Sequence, residues 1–140
     1  MRASDDALPW VTFTDPELAH VGLTEAEARK RKYRFQVLRW PYHENDRAQA
    51  ERATEGHIKV ITTRNGRILG ATIVGRNAGE LIATWSLAVG QRLNIRAVAT
   101  AVLPYPTLAE IGKRAAITRY TASLTSPVVR RIMAWLRRLG

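Results

Sequence analysis

The run LPYPTLAEIGKRAA in the last third of the chain carries the side chains best suited to chemistry. Pro104 and Pro106 bracket Tyr105, and each proline disfavours helix in the residue before it, so the backbone should arrive extended and hold Tyr105 in a rigid corner. Thr107 and Glu110 have the spacing of a capping box, which predicts a helix that starts at Thr107. A phenol fixed beside a helix start can be presented to a partner with little loss of entropy.

This run resembles the H-P-T-x-x-E signature near the C-terminus of the flavin-dependent pyridine nucleotide-disulfide oxidoreductases, such as dihydrolipoamide dehydrogenase and glutathione reductase. Tyr105 stands where those enzymes carry a catalytic His, which acts with its Glu across the dimer, beside the partner's flavin and redox disulfide. The resemblance implies catalytic roles for Tyr105 and Glu110. It also implies that Pro104, Tyr105 and Pro106 contact the cofactor, and that the Tyr105–Pro106 bond is cis. Mercuric reductases are similar in placing a Tyr at this position.

A phenol titrates near ~10 rather than the ~6.5 of an imidazole, so Tyr105 cannot easily copy the acid/base role of the His. Its predicted part is that of a hydrogen-bond donor toward a flavin or substrate held by the other subunit. The alternative is a corner tyrosine that packs at an interface. Glu110 has two candidate roles: it could orient the presented Tyr105, or it could only complete the capping box, and its position in the sequence fits both equally.

Three further landmarks of the family occur in the expected order: a T-x-P-E turn at 14–17, NDRA at 45–48 and G-x-x-A-G-E at 75–80. The resemblance covers roughly residues 10–116 and implies an α+β fold, with an antiparallel sheet of three or four strands packed with helices. It implies that the chain is the C-terminal dimerisation domain of an FAD- and NAD(P)-dependent enzyme. The expected partners are a second copy and N-terminal FAD and NAD(P) domains of the same polypeptide, and no cofactor is expected on this segment itself.

The composition limits what the segment can do alone. The chain has 140 residues, 46% of them hydrophobic, and no cysteine, which removes thiolate nucleophiles, soft metal sites and a protein redox centre. The segment alone is therefore predicted to be inactive. His20, His43 and His57 are far apart in sequence, so no metal site is predicted. Gly75 and Gly79 lack the G-x-G-x-x-G pattern, which gives no support to a dinucleotide site.

The net charge of +10 is concentrated toward the C-terminus, because seven Lys and Arg residues and no acidic residue follow Glu110. Nucleic acid is a disfavoured partner, since no binding motif accompanies the charge and the four Trp are scattered. Residues 126–140 form a predicted basic amphipathic helix. Such a helix can lie on an anionic membrane, although a terminal helix more often covers its own domain or a twin subunit.

Local patterns predict the elements that position Tyr105. Strands are expected at 10–14, 35–40, 57–63 and 67–75, and helices at 24–31, 45–53, 81–89 and from Thr107. Residues 95–102 are expected to form a short helix or a turn that leads to Pro104. Asn65-Gly66 predicts a hairpin with a type I′ turn, and the apolar run ILGATIV after it should be central in the sheet.

These elements make one domain over residues 1–125, ordered over about 8–117, followed by the helix at 126–140. We expect a cytoplasmic location, or attachment to the inner membrane surface through that helix. The leading functional hypothesis is a reductase dimerisation domain that supplies the subunit interface and part of the partner's active site. The alternative is a stand-alone dimerising adaptor or a membrane-surface binding module.

Overall fold

The computed structural model describes residues 7–124, so the helix predicted at 126–140 lies outside the described residues. Five strands form one antiparallel sheet in the order β1-β2-β5-β4-β3. The strands are β1 (Trp10–Thr12), β2 (Leu18–Gly22), β3 (Phe35–Pro41), β4 (His57–Thr63) and β5 (Ile68–Val74). The helices are α1 (Glu25–Lys30), α2 (Asp46–Ala50), α3 (Ala78–Gly90), α4 (Ile95–Thr100) and α5 (Glu110–Leu124), with a 3-10 turn at Tyr42–Glu44 before α2. The α+β fold is confirmed, and β5 is central as predicted.

The sheet has five strands rather than three or four because β2 was not predicted. Its sequence, LAHVG, is short and carries a polar residue, His20, in the middle of the apolar pattern. His20 is nevertheless buried, and its two ring nitrogens lie 2.8 Å from the Thr72 hydroxyl and 2.9 Å from the Gly22 carbonyl. A buried polar side chain is tolerated in a strand when both of its polar atoms have partners.

The hairpin between β4 and β5 is confirmed, but its turn is not type I′. Gly66 has a φ of +89°, whereas Asn65 does not have a positive φ. The Gly66 N–H donates to the Thr63 carbonyl at 2.9 Å, and the Thr63 N–H donates to the Arg67 carbonyl at 2.9 Å. This pattern is a three-residue loop made of a type I turn followed by a glycine in the left-handed region.

The main core lies between the sheet and helices α3 and α5. The predicted apolar stripe of α3 is confirmed, since Ile82, Trp85, Ala88 and Val89 are buried and Leu81 is half-buried. The helices α3 and α5 approach closely at Gly112, where an added Cβ would come within 2.9 Å of the Trp85 ring. A second, smaller cluster contains Leu23, Ala28, Ile61 and Leu69 and is covered by α1.

Helix α1 begins as predicted. The Thr24 hydroxyl accepts from the Glu27 N–H at 3.2 Å, and the Glu27 carboxylate accepts from the Thr24 N–H at 2.8 Å, which completes the capping box. The Thr24 hydroxyl also donates to the Glu27 carboxylate at 2.8 Å, and the two bonds that this carboxylate accepts, from the Thr24 N–H and the Thr24 hydroxyl, lower the pKa of Glu27.

Candidate functional site

The corner at Tyr105 is exposed and locally braced. The Tyr105–Pro106 peptide bond is cis, as predicted. The Tyr105 side chain is 68% exposed, and Pro104 and Pro106 are also exposed. The Thr107 hydroxyl donates to the Pro104 carbonyl at 2.9 Å, and this bond links the two ends of the corner. All three residues predicted to contact a cofactor are therefore accessible to a partner.

The helix after the corner begins later than predicted. Helix α5 starts at Glu110 rather than Thr107, and the Thr107 hydroxyl donates to the Pro104 carbonyl and does not cap the helix. A tight turn links the corner to the helix, with N–H groups donating to carbonyls three residues back: Glu110 to Thr107, Ile111 to Leu108 and Gly112 to Ala109. Half of the predicted capping box is present, since the Thr107 N–H donates to the Glu110 carboxylate at 3.4 Å.

The Tyr105 phenol has a carboxylate partner that the sequence pattern did not indicate. Its O–H donates to Asp46 Oδ2 at 2.8 Å. Because only the protonated phenol can make this bond, the hydrogen bond to Asp46 and the negative charge of that carboxylate raise the pKa of Tyr105. At physiological pH the Tyr105 phenol is therefore neutral, and its O–H donates to the Asp46 carboxylate.

Helix α2 ties this carboxylate to the corner through Asn45, which is buried. The Asn45 side-chain oxygen accepts from the Ala48 N–H at 2.9 Å and caps the helix. Its side-chain nitrogen donates to the Thr107 carbonyl at 3.1 Å. NDRA is one of the family landmarks in the sequence, but the contacts of Asn45 and Asp46 with a segment about 60 residues away could not be predicted from it.

Glu110, the other predicted catalytic residue, contacts the corner differently. Its carboxylate bonds the Thr107 backbone, and its charge contributes to raising the pKa of Tyr105. The structure thus places Pro104, Tyr105, Pro106 and Glu110 together, and adds Asp46 and Asn45 to them.

An apolar groove of about 190 Å³ lies next to the corner. Residues of α3, α4, α5 and the segments that connect them line it, together with Ile73 of β5; among them are Leu81, Trp85, Leu87, Leu93, Val98 and Leu103. Leu87 is 62% exposed. Val102, between the lining residues Ala101 and Leu103, is 95% exposed. Exposed apolar side chains around a groove mark an interaction surface. Hereafter the groove with Leu87 and Val102 is called the α3–α4 surface.

The histidines do not form a further site in the described part of the chain. His20 is buried in the sheet, and His43 is exposed, with its ring 4.0 Å from the Glu44 carboxylate. Within residues 7–124, no three His, Asp or Glu side chains are grouped so that they could hold a metal ion. In the same range, no helix has the length and apolar character needed to cross a membrane.

Comparison with known proteins identifies the class. The family described as the pyridine nucleotide-disulphide oxidoreductase dimerisation domain matches residues 8–116. The chain belongs to this family.

The individual relatives are redox enzymes much longer than this chain. Dihydrolipoyl dehydrogenase of Buchnera aphidicola subsp. Acyrthosiphon pisum is 36% identical over 118 residues, which are 83% of this chain and 25% of that enzyme. The mitochondrial dihydrolipoyl dehydrogenase of Dictyostelium discoideum is 37% identical over 115 residues, 81% of this chain and 24% of that enzyme. This chain spans about a quarter of the length of these curated relatives.

Solved structures show the same likeness. LpdA from Mycobacterium tuberculosis matches with a TM-score of 0.77 and 26% identity over 85% of this chain and 26% of that one. The HOCl-induced flavoprotein disulfide reductase RclA from Escherichia coli matches with a TM-score of 0.75 and 25% identity, over 85% of this chain and 26% of that one.

Proposed function

We propose that the chain is the C-terminal dimerisation domain of an FAD- and NAD(P)-dependent oxidoreductase, where it forms the subunit interface and completes the partner's active site. The observation that carries this proposal is the position of the exposed Tyr105 corner directly beside the α3–α4 surface. Leu103 lines the groove, and Tyr105 follows it two residues later. A second copy seated on that surface would meet the Tyr105 phenol at its edge.

A second copy is the occupant that the family membership favours. Obligate dimer interfaces are apolar and bury about 2,000 Å² or more, so the α3–α4 surface would be the centre of a larger contact. Leu87 and Val102, which are exposed in the single chain, would then be buried.

In the complete enzyme, FAD held by the nucleotide domains would supply electron transfer. This chain has no cysteine, so it would contribute only side chains without redox chemistry to the active site, and a redox disulfide would come from another part of the polypeptide. Tyr105 and Glu110 are the proposed catalytic residues, and Pro104 and Pro106 would border the flavin with Tyr105. A tyrosine at this position and the NDRA sequence favour the mercuric reductase-like members, and the substrate would be a disulfide or a metal ion.

The reading frame upstream of the codon for Arg2 tests the enzyme part of the proposal. It should encode an FAD domain and an NAD(P) domain. A stop codon directly upstream would leave the stand-alone dimerising adaptor as the function.

Mixed dimers of the complete enzyme test whether Tyr105 acts on the partner's site. One subunit would carry Tyr105→Phe, and the other would lack its redox cysteines. If each Tyr105 serves the flavin of the other subunit, the mixed dimer contains one intact site and regains activity, although both parent dimers are impaired. No regained activity would show that Tyr105 serves its own subunit or none. Each variant mixed with itself is the matched control.

A further inference from the structure

The direction of the hydrogen bond at Tyr105 limits what the phenol can do for a partner. A tyrosine has one O–H to donate, and in this structure it is donated to Asp46 Oδ2 at 2.8 Å. A carboxylate can only accept, so the proton must lie between the two groups. The Tyr105 oxygen keeps its acceptor lone pairs, and the residue is 68% exposed.

We propose that Asp46 is a positioning residue for Tyr105, which makes the phenol a hydrogen-bond acceptor that receives an N–H or S–H group of the partner subunit or its substrate. The hydrogen bond that the phenol accepts from a partner rests on the proposed function, whereas the pairing of Asp46 with Tyr105 does not. This assignment differs from the donor role expected from the sequence, because the donor is already in use.

Asp46 is held in place by contacts that a chance surface pair would lack. It directly follows Asn45, whose buried side chain both caps α2 and bonds the Thr107 carbonyl. The Thr107 hydroxyl in turn holds the Pro104 carbonyl at 2.9 Å. Hydrogen bonds of Asn45 and Thr107 therefore connect the backbone beside Asp46 with the backbone beside Tyr105, and they fix the carboxylate relative to the phenol.

The charged groups around the phenol come from two elements. Asp46 of α2 and Glu110 of α5 raise the pKa of Tyr105, and Arg114 of α5 lowers it. The hydrogen bond to Asp46 is the largest effect. Because the pKa is raised, the stabilisation from this bond is complete below the unfolded value of about 10 and is lost as the pH rises through the folded value.

The test is a titration of Tyr105 in the 140-residue chain, followed by NMR of ring carbons labelled at Cζ. Tyr105→Phe identifies the signal. We expect the wild-type pKa above the ordinary value of about 10 and a lower pKa in Asp46→Asn. Asp46→Glu should restore part of the shift. Glu51→Gln is the matched control, since Glu51 bonds Arg47 and Arg76 rather than Tyr105.

Two results would overturn the pairing: an ordinary pKa for Tyr105 in the wild-type chain, or an unchanged pKa in a folded Asp46→Asn chain. The first needs only Tyr105→Phe, which assigns the signal, so the pairing remains testable if Asp46→Asn does not fold. The titration gives its answer whether the chain is a monomer or a dimer, so its failure is distinct from a failure of the proposed function.

The acceptor role is tested in the complete enzyme. Asp46→Asn should lower kcat about tenfold or more, the rate equivalent of one charge-assisted hydrogen bond, and Asp46→Glu should recover part of it. The loss should not add to that of Tyr105→Phe. A wild-type kcat in Asp46→Asn, with a reduced kcat in Tyr105→Phe, would show that Tyr105 acts without Asp46.

Discussion

Both polar atoms of the Asn45 side-chain amide make hydrogen bonds in the structure around Tyr105. One end caps α2 at 2.9 Å, and the other holds the Thr107 carbonyl at 3.1 Å. A sequence pattern can predict the first role, because capping depends on neighbours three residues away. It cannot predict the second, or the bond from Tyr105 to Asp46, because those partners are brought together only by the fold. Tyr105 and Glu110 could be named as candidate site residues from the sequence because they share one short run.

Two substitutions at Asn45 separate these roles. Asn45→Ser keeps an oxygen for the cap and loses the amide donor, so it should lower the free energy of unfolding by about 1 kcal/mol. Asn45→Ala loses both contacts and should cost about 2–3 kcal/mol. Urea unfolding followed by circular dichroism measures both. An unchanged stability of Asn45→Ser would mean that the bond to Thr107 contributes nothing, and equal losses in the two variants would mean that the cap contributes nothing.

The elements around the site follow local rules with two instructive departures. Strands β3, β4 and β5 have the apolar and β-branched patterns that predict them, whereas β2 is interrupted by His20, whose partners come from β2 itself and β5. Helix α5 starts at Glu110, and the Thr107 hydroxyl donates to the Pro104 carbonyl rather than capping the helix. In both cases a polar side chain found a partner that local spacing did not indicate.

Gly75, after β5, is required by packing rather than by phosphate binding. Its φ is +146°, and an added Cβ would lie 2.5 Å from the ring of the buried Tyr42. Tyr42 cannot move away easily, since its hydroxyl donates to the Arg76 carbonyl at 2.9 Å.

Gly75→Ala should therefore lower the free energy of unfolding by at least about 2 kcal/mol, through backbone strain and overlap with the Tyr42 ring. Gly90→Ala is the control: it lies in α3, and its added Cβ would be 3.6 Å from its nearest neighbour, an ordinary contact. That variant should be neutral or stabilising by up to about 1 kcal/mol. Chemical denaturation compares the two, and equal stability of both variants would contradict the packing role of Gly75.

In the folded molecule, the α3–α4 surface consists of residues that belong to no single sequence pattern. The apolar stripe of α3 predicted the buried core, but Leu87 lies outside that stripe, and Val102 lies in the segment after α4. Only the folded chain shows that Leu87 lines the same groove as Ala101 and Leu103, the two neighbours of Val102. The proposed dimer depends on this surface.

Leu87→Glu should weaken the dimer without unfolding the chain. A charge at the centre of an apolar contact should raise the dissociation constant of the dimer by at least about tenfold. The control is Leu8→Glu, because Leu8 is 61% exposed and Leu87 is 62% exposed, but Leu8 lies in a different pocket, beside Trp10 and His20. An equal effect of both variants would show that general surface charge, rather than the α3–α4 surface, controls association.

Sedimentation equilibrium of the purified chain, without added cofactor, measures whether two copies associate. We expect a species of twice the monomer mass of 15.7 kDa. A chain that sediments as a monomer at high concentration would contradict it, and Tyr105 would then have no twin subunit to reach.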